Sequence, residues 1–194
     1  PKLKVNNKNL NIISGNNLPL EQVIDGCKNG NIASQELLYK QFYGYAMTIS
    51  RLYTYSIEDA VSILNDSFLK VFTAIQKKDF NDSTQFKSWL RRIIINTAID
   101  SYRKNVKHFY QEDIEEAVNI QSNDTSIIED LTVKDILKLL DQLPELHRIV
   151  FNLYEIQGFS HQEIATELEI TESTSRVFLT RAKKKLRILI NEIF

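Results

Sequence analysis

The sequence predicts an all-α protein in which an acidic segment connects two small helical domains. Apolar residues recur at helical spacing through residues 18–107 and again through residues 131–194. The 194-residue chain has only 5 glycines and 3 prolines, too few for the frequent turns of an all-β sandwich. Residues 108–130 carry seven acidic and no basic side chains and few large apolar groups, which is typical of a flexible linker.

Composition and motifs exclude several classes of protein. Hydrophobic residues make up 43% and charged residues 25% of the chain, as in average globular proteins. The single cysteine, Cys27, cannot form an internal disulfide, and His108, His147 and His161 lack metal-ligand spacing. We found no catalytic nucleophile motif, no apolar run that could span a membrane and no secretory signal. We therefore expect a cytoplasmic, non-enzymatic protein with no membrane insertion and no metal or other cofactor.

The first domain is predicted to contain four helices. It follows residues 1–17, which are rich in asparagine, lack helical periodicity and are predicted to form a flexible tail. The first helix begins near Leu18 and has Pro19 in its first turn, where proline is tolerated. The second helix covers residues 32–53 and has one apolar face.

Capping residues mark the third and fourth helices. The third is predicted over residues 56–77, with Ser56 as its cap and acidic residues in its first turn. The fourth is predicted over residues 84–107, with Asp82 as its cap and Gln85 three positions later. These capping residues predict where the third and fourth helices of the first domain begin.

The second domain begins with two further predicted helices. Helical periodicity resumes near Ile128 and supports a short helix that ends near Leu140. The next helix begins at Leu143-Pro144-Glu145 and ends at Gly158.

Residues 160–187 have the organisation of a helix-turn-helix unit. Ser160 and Glu163 have the spacing of a capping box for a short helix, and Thr171 caps a longer helix after a turn. The second helix of such a unit lies in the major groove of DNA. Residues 176–191 contain six basic and no acidic side chains, which suits contacts with phosphates and base edges.

The predicted DNA-facing side of this helix carries Thr174, Phe178, Arg181 and Lys185, at intervals of four, three and four positions. The alternative is a solvated helix whose cations are favourable near its carboxyl end. The coincidence of helix-turn-helix spacing and basic bias favours DNA binding. Further polar side chains flank this face: Arg176, Thr180, Lys183, Lys184 and Arg187.

Residues 84–107 combine basic and aromatic side chains in one predicted helix. Six basic residues stand against one acidic residue, Asp100. This mixture suits melted DNA, because cations follow the backbone and aromatic faces stack on exposed bases. The alternative is an amphipathic helix, and we expect Phe86 and Trp89 in the core under either interpretation. The informative polar face carries Asn96, Asp100 and Arg103.

With these motifs in this order, the chain resembles the extracytoplasmic-function (ECF) sigma factors, a two-domain class of bacterial transcription initiation factors. The resemblance extends over about residues 18–190 and is strongest in two stretches. Phe86 to Lys104 follows the family run of Phe, Trp-Leu, Ile, Asn, Asp and Arg-Lys. Leu143 to Arg187 contains Leu-Pro, an arginine at 148, Gly-Phe-Ser and Glu-Ile-Ala.

The resemblance implies that residues 18–107 form sigma region 2. This region of the family binds the β′ clamp helices of core RNA polymerase and captures the melted −10 promoter element. The positions that match the polymerase-binding motif are Asp59, Asn65, Asp66 and Phe68. The positions assigned to the −10 strand are Phe80, Asn81, Lys87, Arg91, Arg92, Asn96, Asp100, Arg103 and Lys104.

The resemblance further implies that residues 131–194 form sigma region 4, which binds the β subunit flap and the −35 element as duplex DNA. The acidic segment 108–130 matches the linker that passes through the RNA-exit path, where its carboxylates would mimic nucleic acid. The positions assigned to the −35 element are Thr171, Ser173, Thr174, Arg176, Phe178, Arg181, Lys184 and Lys185.

The sequence departs from the family pattern at both kinds of surface. Ser62 stands where the family usually has an acidic residue, and Asn65 stands where it usually has glutamine. Ser175 replaces a residue that is often apolar, and Val177 and Phe178 replace polar or basic residues of many members. Phe178 suits contact with a thymine methyl group or, alternatively, with a second protein.

Two alternatives to a self-directed sigma factor follow. One is a sigma factor that a separate targeting protein recruits to DNA; an anti-sigma factor is a further candidate partner. The other is a stand-alone helix-turn-helix regulator with a helical sensor domain, which would bind duplex DNA as a dimer without polymerase. The basic, aromatic helix of the first domain favours the sigma factor over a sensor.

Overall fold

The computed structural model describes residues 18–80, 82–106 and 133–193. Every regular element in these ranges is helical, which confirms the predicted all-α class. The predicted tail at 1–17 and the predicted linker at 108–130 lie outside the described residues. The α-helices of the described part are α1 (Leu20–Lys28), α2 (Ile32–Arg51), α3 (Ile57–Ala74), α4 (Ser83–Val106), α5 (Val133–Leu140), α6 (Glu145–Phe151), α7 (His161–Leu168) and α8 (Glu172–Ile193).

Helices α1 to α4 form a bundle around an apolar core. Helix α2 packs against α1, α3 and α4, and α3 also packs against α4. Leu38, Leu64 and Leu90 are fully buried in this core, and burial of each contributes about 1.5–3 kcal/mol. Cys27 is buried as well, and burial raises the pKa of its thiol to about 11. Cys27 is therefore a core residue.

The predicted side-chain caps begin α3 and α4. The Ser56 hydroxyl accepts a hydrogen bond from the Asp59 N–H at 3.0 Å. The Asp82 carboxylate accepts one from the Gln85 N–H at 2.9 Å. Helix α2 ends at Arg51, two residues before its predicted end. Capping residues therefore predict where a helix begins more precisely than apolar periodicity predicts where it ends.

Helices α5 to α8 form a second bundle in which α8 is central. Helices α5, α6 and α7 each pack against α8. The buried side chains between α6 and α8 include Ile149, Val150, Leu179 and Ala182. This packing leaves the opposite side of α8 free of contacts with the other helices of its bundle.

Helix α6 continues directly into a π-helical segment, Asn152–Ile156. Gly158 then ends the helical stretch at a φ of +76°, a conformation that glycine adopts without steric penalty. The predicted helix from Leu143 to Gly158 is therefore one helical stretch whose geometry changes from α to π. Segments of this kind are rare and occur often at functional sites. Here the Asn152 and Gln157 side chains reach the first bundle.

The described helices offer neither a membrane span nor a metal centre. None of the helices in residues 18–80, 82–106 and 133–193 is long and apolar enough to cross a membrane. The same residues contain no group of three or more His, Cys, Asp and Glu side chains that could hold a metal ion.

Candidate nucleic-acid interface

Helices α7 and α8 form the predicted helix-turn-helix. The Ser160 hydroxyl accepts from the Glu163 N–H, and the Glu163 carboxylate accepts from the Ser160 N–H at 2.8 Å, so the capping box is confirmed. The Ser160 N–H and the Ser160 hydroxyl both donate to the Glu163 carboxylate, and these two hydrogen bonds lower the pKa of Glu163. Glu169 ends α7 with a φ of 56°, and the Thr171 hydroxyl accepts from the Thr174 N–H at 3.1 Å. The turn therefore begins α8 with a cluster of hydroxyl groups.

The inner face of α8 anchors this helix. Ser175, Leu179 and Ala182 are buried against the rest of the bundle. The Ser175 hydroxyl lies 2.9 Å from His161 Nδ1, and the His161 ring stacks on Tyr154 with a centroid distance of 4.5 Å. A serine thus replaces the apolar residue common in the family and finds a polar partner. That satisfied hydroxyl fixes α8 against α7.

The outer face of α8 is exposed and carries hydroxyl and basic groups. Arg176 pairs with Glu172 at 2.7 Å, and Lys183 pairs with Glu155 at 2.6 Å. Val177 lies among these polar groups and is 45% exposed. Of the predicted −35 residues, those on the exposed face are Thr171, Ser173, Arg176 and Lys185, whereas those that are half-buried at its edge are Thr174, Phe178, Arg181 and Lys184.

Phe178 lies further from solvent than its predicted position on the DNA face implies. Its ring packs on His147, with 4.9 Å between the ring centroids. Burial and the nearby Arg181 guanidinium lower the pKa of His147. The exposed stripe instead follows Ser173, Val177 and neighbouring side chains. The exposed face of α8 is thus shifted by one residue from the predicted face. Phe178 therefore lies at the edge of the exposed face and not at its centre.

Helix α4 divides into an apolar and a polar face. Phe86, Leu90 and Ile94 are fully buried, and Trp89 is half-buried against the same core. Both aromatic rings therefore lie in the core, as the sequence predicts.

Helix α4 carries seven of the predicted −10 residues, and Arg92, Asn96, Asp100 and Arg103 among them share one polar face. Asp100 accepts a hydrogen bond from Lys70 at 2.9 Å, so this carboxylate is paired. The exposed residues of the seven are Lys87, Arg92, Asn96 and Lys104, and the half-buried ones are Arg91, Asp100 and Arg103. Exposed cations and an amide are the groups that suit contact with a DNA backbone and unstacked bases.

Phe80 begins the segment that leads into α4. Its ring centroid lies 5.3 Å from that of Phe86 and 5.1 Å from that of Trp89. The neighbouring Asn81, a predicted −10 residue, lies outside the described residues. Phe80 is half-buried: one side of its ring packs on the core, and the rest remains accessible to solvent.

A groove of about 540 Å³ lies beside Phe80, between α1 and this segment. Leu20 and Ile24 contribute apolar surface to it. Lys28 also lines the groove and pairs with Asp79 at 2.6 Å, which leaves an excess of carboxylates. That excess repels phosphates, so the groove suits an uncharged base better than a DNA backbone. The acidic residues that line it are Glu21, Asp25, Asp79 and Asp82.

The predicted polymerase-binding residues of α3 do not all reach the surface. Asp59, Asn65 and Asp66 are exposed, whereas Phe68 is 2% exposed. Phe68 packs on Tyr39 with a centroid distance of 4.9 Å, so it supports the helix from the core.

Sequence reasoning missed two exposed apolar residues on α3. Leu69 is 66% exposed and Ile57 is 61% exposed, and both share α3 with the exposed acidic residues. Periodicity singles out apolar residues that fit the buried face, so it gives no signal for those that fall on the outer face.

Comparison with known proteins assigns both bundles. The family model for sigma-70 region 2 matches residues 37–108, and that for sigma-70 region 4 matches residues 133–186. RNA polymerase sigma factor SigZ of Bacillus subtilis is 31% identical over 134 residues, which are 66% of this chain and 73% of SigZ. This chain belongs to the sigma-70 family of RNA polymerase sigma factors.

Two other sigma factors and one solved structure are also similar to this chain. The RNA polymerase sigma-H factor of Pseudomonas aeruginosa is 23% identical over 177 residues, 86% of this chain and 91% of the relative. The ECF RNA polymerase sigma-E factor of Escherichia coli is 26% identical over 139 residues, 66% of this chain and 72% of the relative. A solved structure of CnrH with the cytosolic domain of CnrY has a TM-score of 0.46 at 19% identity, covering 88% of this chain and 96% of CnrH.

The protein is thus an ECF-type sigma factor, as the sequence predicts. Sigma factors bind core RNA polymerase and promoter DNA to begin transcription, and catalysis belongs to the polymerase. A stand-alone helix-turn-helix regulator would not explain the region 2 match over residues 37–108. The exact domain boundaries, 18–107 and 131–194, stay predictions.

Proposed function

We propose that this sigma factor uses three separate surfaces to begin transcription. Helix α3 binds the β′ clamp helices of core polymerase. Helix α4 and Phe80 hold the non-template strand of the melted −10 element. The outer face of α8 binds the −35 element as duplex DNA.

The exposed polar groups on α4 carry this proposal. Arg92 and Asn96 share one face and supply a cation and a hydrogen-bonding amide, and Lys104 supplies a further cation towards the end of the helix. Helix α4 begins next to Phe80 and the groove beside it, which has room for an unstacked base. A strand held in this way is stabilised only after it has melted, so binding shifts the DNA towards the open state without ATP.

The −35 role of α8 is supported by the difference between its two faces, one of which is buried and the other polar and exposed. Its inner face is buried, and its outer face presents hydroxyl groups near the amino end and cations further along. Hydroxyl groups and an arginine suit base edges, whereas the later lysines suit phosphates.

The proposed polymerase surface combines acidic and apolar groups on α3. Asp66 is exposed and lies beside Leu69, which is 66% exposed. Asn65 accepts a hydrogen bond from the Tyr39 hydroxyl at 2.9 Å, which orients its amide. Phe68 acts through packing, because it is buried. The β flap is a further proposed contact for region 4.

A double substitution on α4 tests the proposal. Promoters are first selected by transcription with core polymerase from a pool of random sequences. On those promoters, we expect Arg92→Ala with Lys104→Ala to reduce open-complex formation about tenfold and to lower the salt slope by about 2. Permanganate detection of unpaired thymines measures the melted fraction.

Lys40→Ala is the matched control, because Lys40 is exposed on α2, away from α4, and its side chain pairs with Glu36 at 2.5 Å on the same helix. Equal promoter melting by the double variant and the control would remove the assignment of α4 to the −10 strand.

A recruited sigma factor is the second candidate, because exposed Val177 places an apolar side chain on the outer face of the recognition helix. The same selection distinguishes the two. An enriched upstream motif indicates self-directed recognition, and its absence alongside polymerase binding indicates recruitment. An anti-sigma factor remains a predicted partner of either form.

A further inference from the structure

His161, the first residue of α7, is held at the edge of α8 by two contacts. Its Nδ1 lies 2.9 Å from the hydroxyl of Ser175, which is fully buried on the inner face of α8. One face of its ring stacks on Tyr154 of the π segment, with 4.5 Å between the centroids and 24° between the planes. The ring itself is half-buried. Because no hydrogen bond from another described residue occupies Nε2, this second ring nitrogen is available to a ligand.

The Ser175 hydroxyl can serve both protonation states of His161. It donates to Nδ1 when the ring is neutral and accepts from Nδ1–H when the ring is charged, because a hydroxyl group is both a donor and an acceptor. In either case Nε2 carries a hydrogen that it can donate. A proton can therefore be added to the ring without loss of the contact that orients it.

Charged groups from α8 and from the π segment surround the ring. Arg176 on α8 pairs with Glu172 at 2.7 Å, and Lys183 on α8 pairs with Glu155 of the π segment at 2.6 Å. Burial and the two cations lower the pKa of His161, and Glu172 opposes them only in part. These surroundings favour a neutral ring in the free factor.

Helix α7 itself and the stacked tyrosine leave this balance unchanged. The Glu163 carboxylate of α7 is committed to the capping box with Ser160. On the π segment, the Tyr154 ring lies 6.0 Å from Lys183 Nζ, so it brings that cation close to the stack. The ring of His161 is therefore bordered by more positive than negative charge.

This edge of α8 borders the outer face that is assigned to duplex DNA. Arg176 is exposed on that face, and Lys183 is exposed two turns further along the same side of the helix. In a helix-turn-helix unit the first helix crosses the DNA backbone while the second lies in the groove. Since His161 begins that first helix, we expect a backbone phosphate to pass this edge.

We propose that His161 is a phosphate-binding residue of region 4, which donates Nε2–H to the backbone of the −35 duplex and takes up a proton as it binds. The inference rests on the proposed function, which assigns α8 to that duplex. A phosphodiester is an anion, and an anion beside the ring favours the charged imidazolium. In the free factor Arg176 and Lys183 repel that form. Duplex DNA therefore reverses the balance of charge around the ring.

Proton uptake couples duplex affinity to pH. A ring that is neutral in the free factor and charged in the complex makes the affinity rise as the pH falls, by at most about tenfold per pH unit for one proton. The rise ends once the free ring is also protonated. The charged ring adds one phosphate contact, so the salt slope should be larger by about 1 at low pH. Promoter and unrelated duplexes should gain alike, because phosphate contacts carry no sequence information.

Fluorescence anisotropy of labelled duplex with the full chain tests the coupling between about pH 7.5 and 5.5. We expect the dissociation constant of the parent to fall about threefold to tenfold over this range. His161→Gln keeps an amide N–H that can donate but cannot take up a proton. Its affinity should match that of the parent within about twofold at pH 7.5 and should stay level as the pH falls.

His147→Gln is the matched control, because His147 is the other histidine of the described residues and its ring packs on Phe178 instead. We expect this variant to keep most of the gain at low pH. Nuclear magnetic resonance titration measures the two rings directly. The pKa of His161 should rise by about one unit or more when duplex is added, and that of His147 should rise by less. Circular dichroism at each pH shows that every variant remains helical.

Two outcomes would overturn this inference and leave the proposed function intact. A pH profile of His161→Gln identical to that of the parent would place the proton elsewhere. A loss of affinity in His161→Gln that is equal at every pH would show that His161 only supports the fold of region 4. A parent that binds no duplex at any pH would overturn the −35 role of α8 together with this inference.

Discussion

At the residue scale, Phe178 of region 4 was predicted to contact DNA, but its ring packs within the domain, so its substitution should affect stability. Because its ring packs on His147, we expect Phe178→Ala to lower the free energy of unfolding by about 1–3 kcal/mol. Val177 is 45% exposed on the adjacent position, so Val177→Ala is expected to change stability by less than about 0.5 kcal/mol. Urea denaturation of the two variants measures the difference. Equal stabilities would place Phe178 on the solvent face after all.

The free energy of unfolding is also expected to depend on pH through His147, the residue on which Phe178 packs. Burial and Arg181 lower the pKa of His147, so the unfolded chain binds this proton more readily than the folded chain. The free energy of unfolding is therefore expected to be level above about pH 7 and to decrease as the pH falls below about 6.5. Denaturation between about pH 7.5 and 5.5 should show this slope, and His147→Gln should reduce it.

His161 needs its own control, because burial and Arg176 lower its pKa too. His161→Gln should remove a separate part of the slope, and nuclear magnetic resonance titration of the two rings assigns each part. A slope in His147→Gln identical to that of the parent would contradict the predicted role of His147.

At the element scale, α8 combines two kinds of DNA contact. We expect Thr174→Ala, at the hydroxyl-rich start of the helix, to change the preferred bases at the −35 element. Lys185→Ala should instead weaken binding to all duplexes alike and lower the salt slope by about 1, because a lysine–phosphate contact carries no sequence information. Binding of promoter and unrelated duplexes over a salt series measures both effects. Identical changes in the two variants would remove this division of α8.

Local signals explain which elements the sequence predicts well. Ser56, Asp82, Ser160 and Thr171 cap helices by contacts within three or four residues, so each is readable from sequence alone. The change from α to π geometry after Phe151 has no such local signal. It accompanies contacts of Asn152 and Gln157 with distant residues, which sequence spacing does not reveal.

Site residues were predicted by position, but their exposure depends on packing. Phe68 matches the polymerase motif and yet lies in the core, while Leu69 beside it is exposed. One helical position turns a side chain by about 100°, which is enough to move it between faces. The pairing of Arg103 with the end of α7 depends on how the two bundles meet, and no pattern within either bundle specifies that.

At the scale of the whole molecule, charge is divided between segments of opposite sign. The net charge is −1, with 24 basic and 25 acidic side chains. Seven of the acids lie in residues 108–130, which leaves 18 acidic side chains against 24 basic ones in the rest of the chain. Residues 18–107 carry 12 basic and 9 acidic side chains, whereas residues 131–194 carry 9 of each, with six of the basic ones on α8. The acidic segment thus offsets basic faces on α4 and α8 rather than two basic domains. A segment of this kind reduces attraction to DNA of any sequence.

Neutralisation of residues 108–130 tests this electrostatic role. We expect replacement of its seven acidic residues by asparagine and glutamine to strengthen binding of the free factor to unrelated duplex DNA. The effect should be largest at about 50 mM salt and small at about 200 mM, because salt screens exposed charges. Fluorescence anisotropy with labelled duplex measures the affinity at each salt concentration. The control is a scrambled segment that keeps all seven acids, because it separates charge from sequence. If the neutralised and scrambled proteins bind alike, the segment acts through its sequence or length, and the basic faces of α4 and α8 need another restraint.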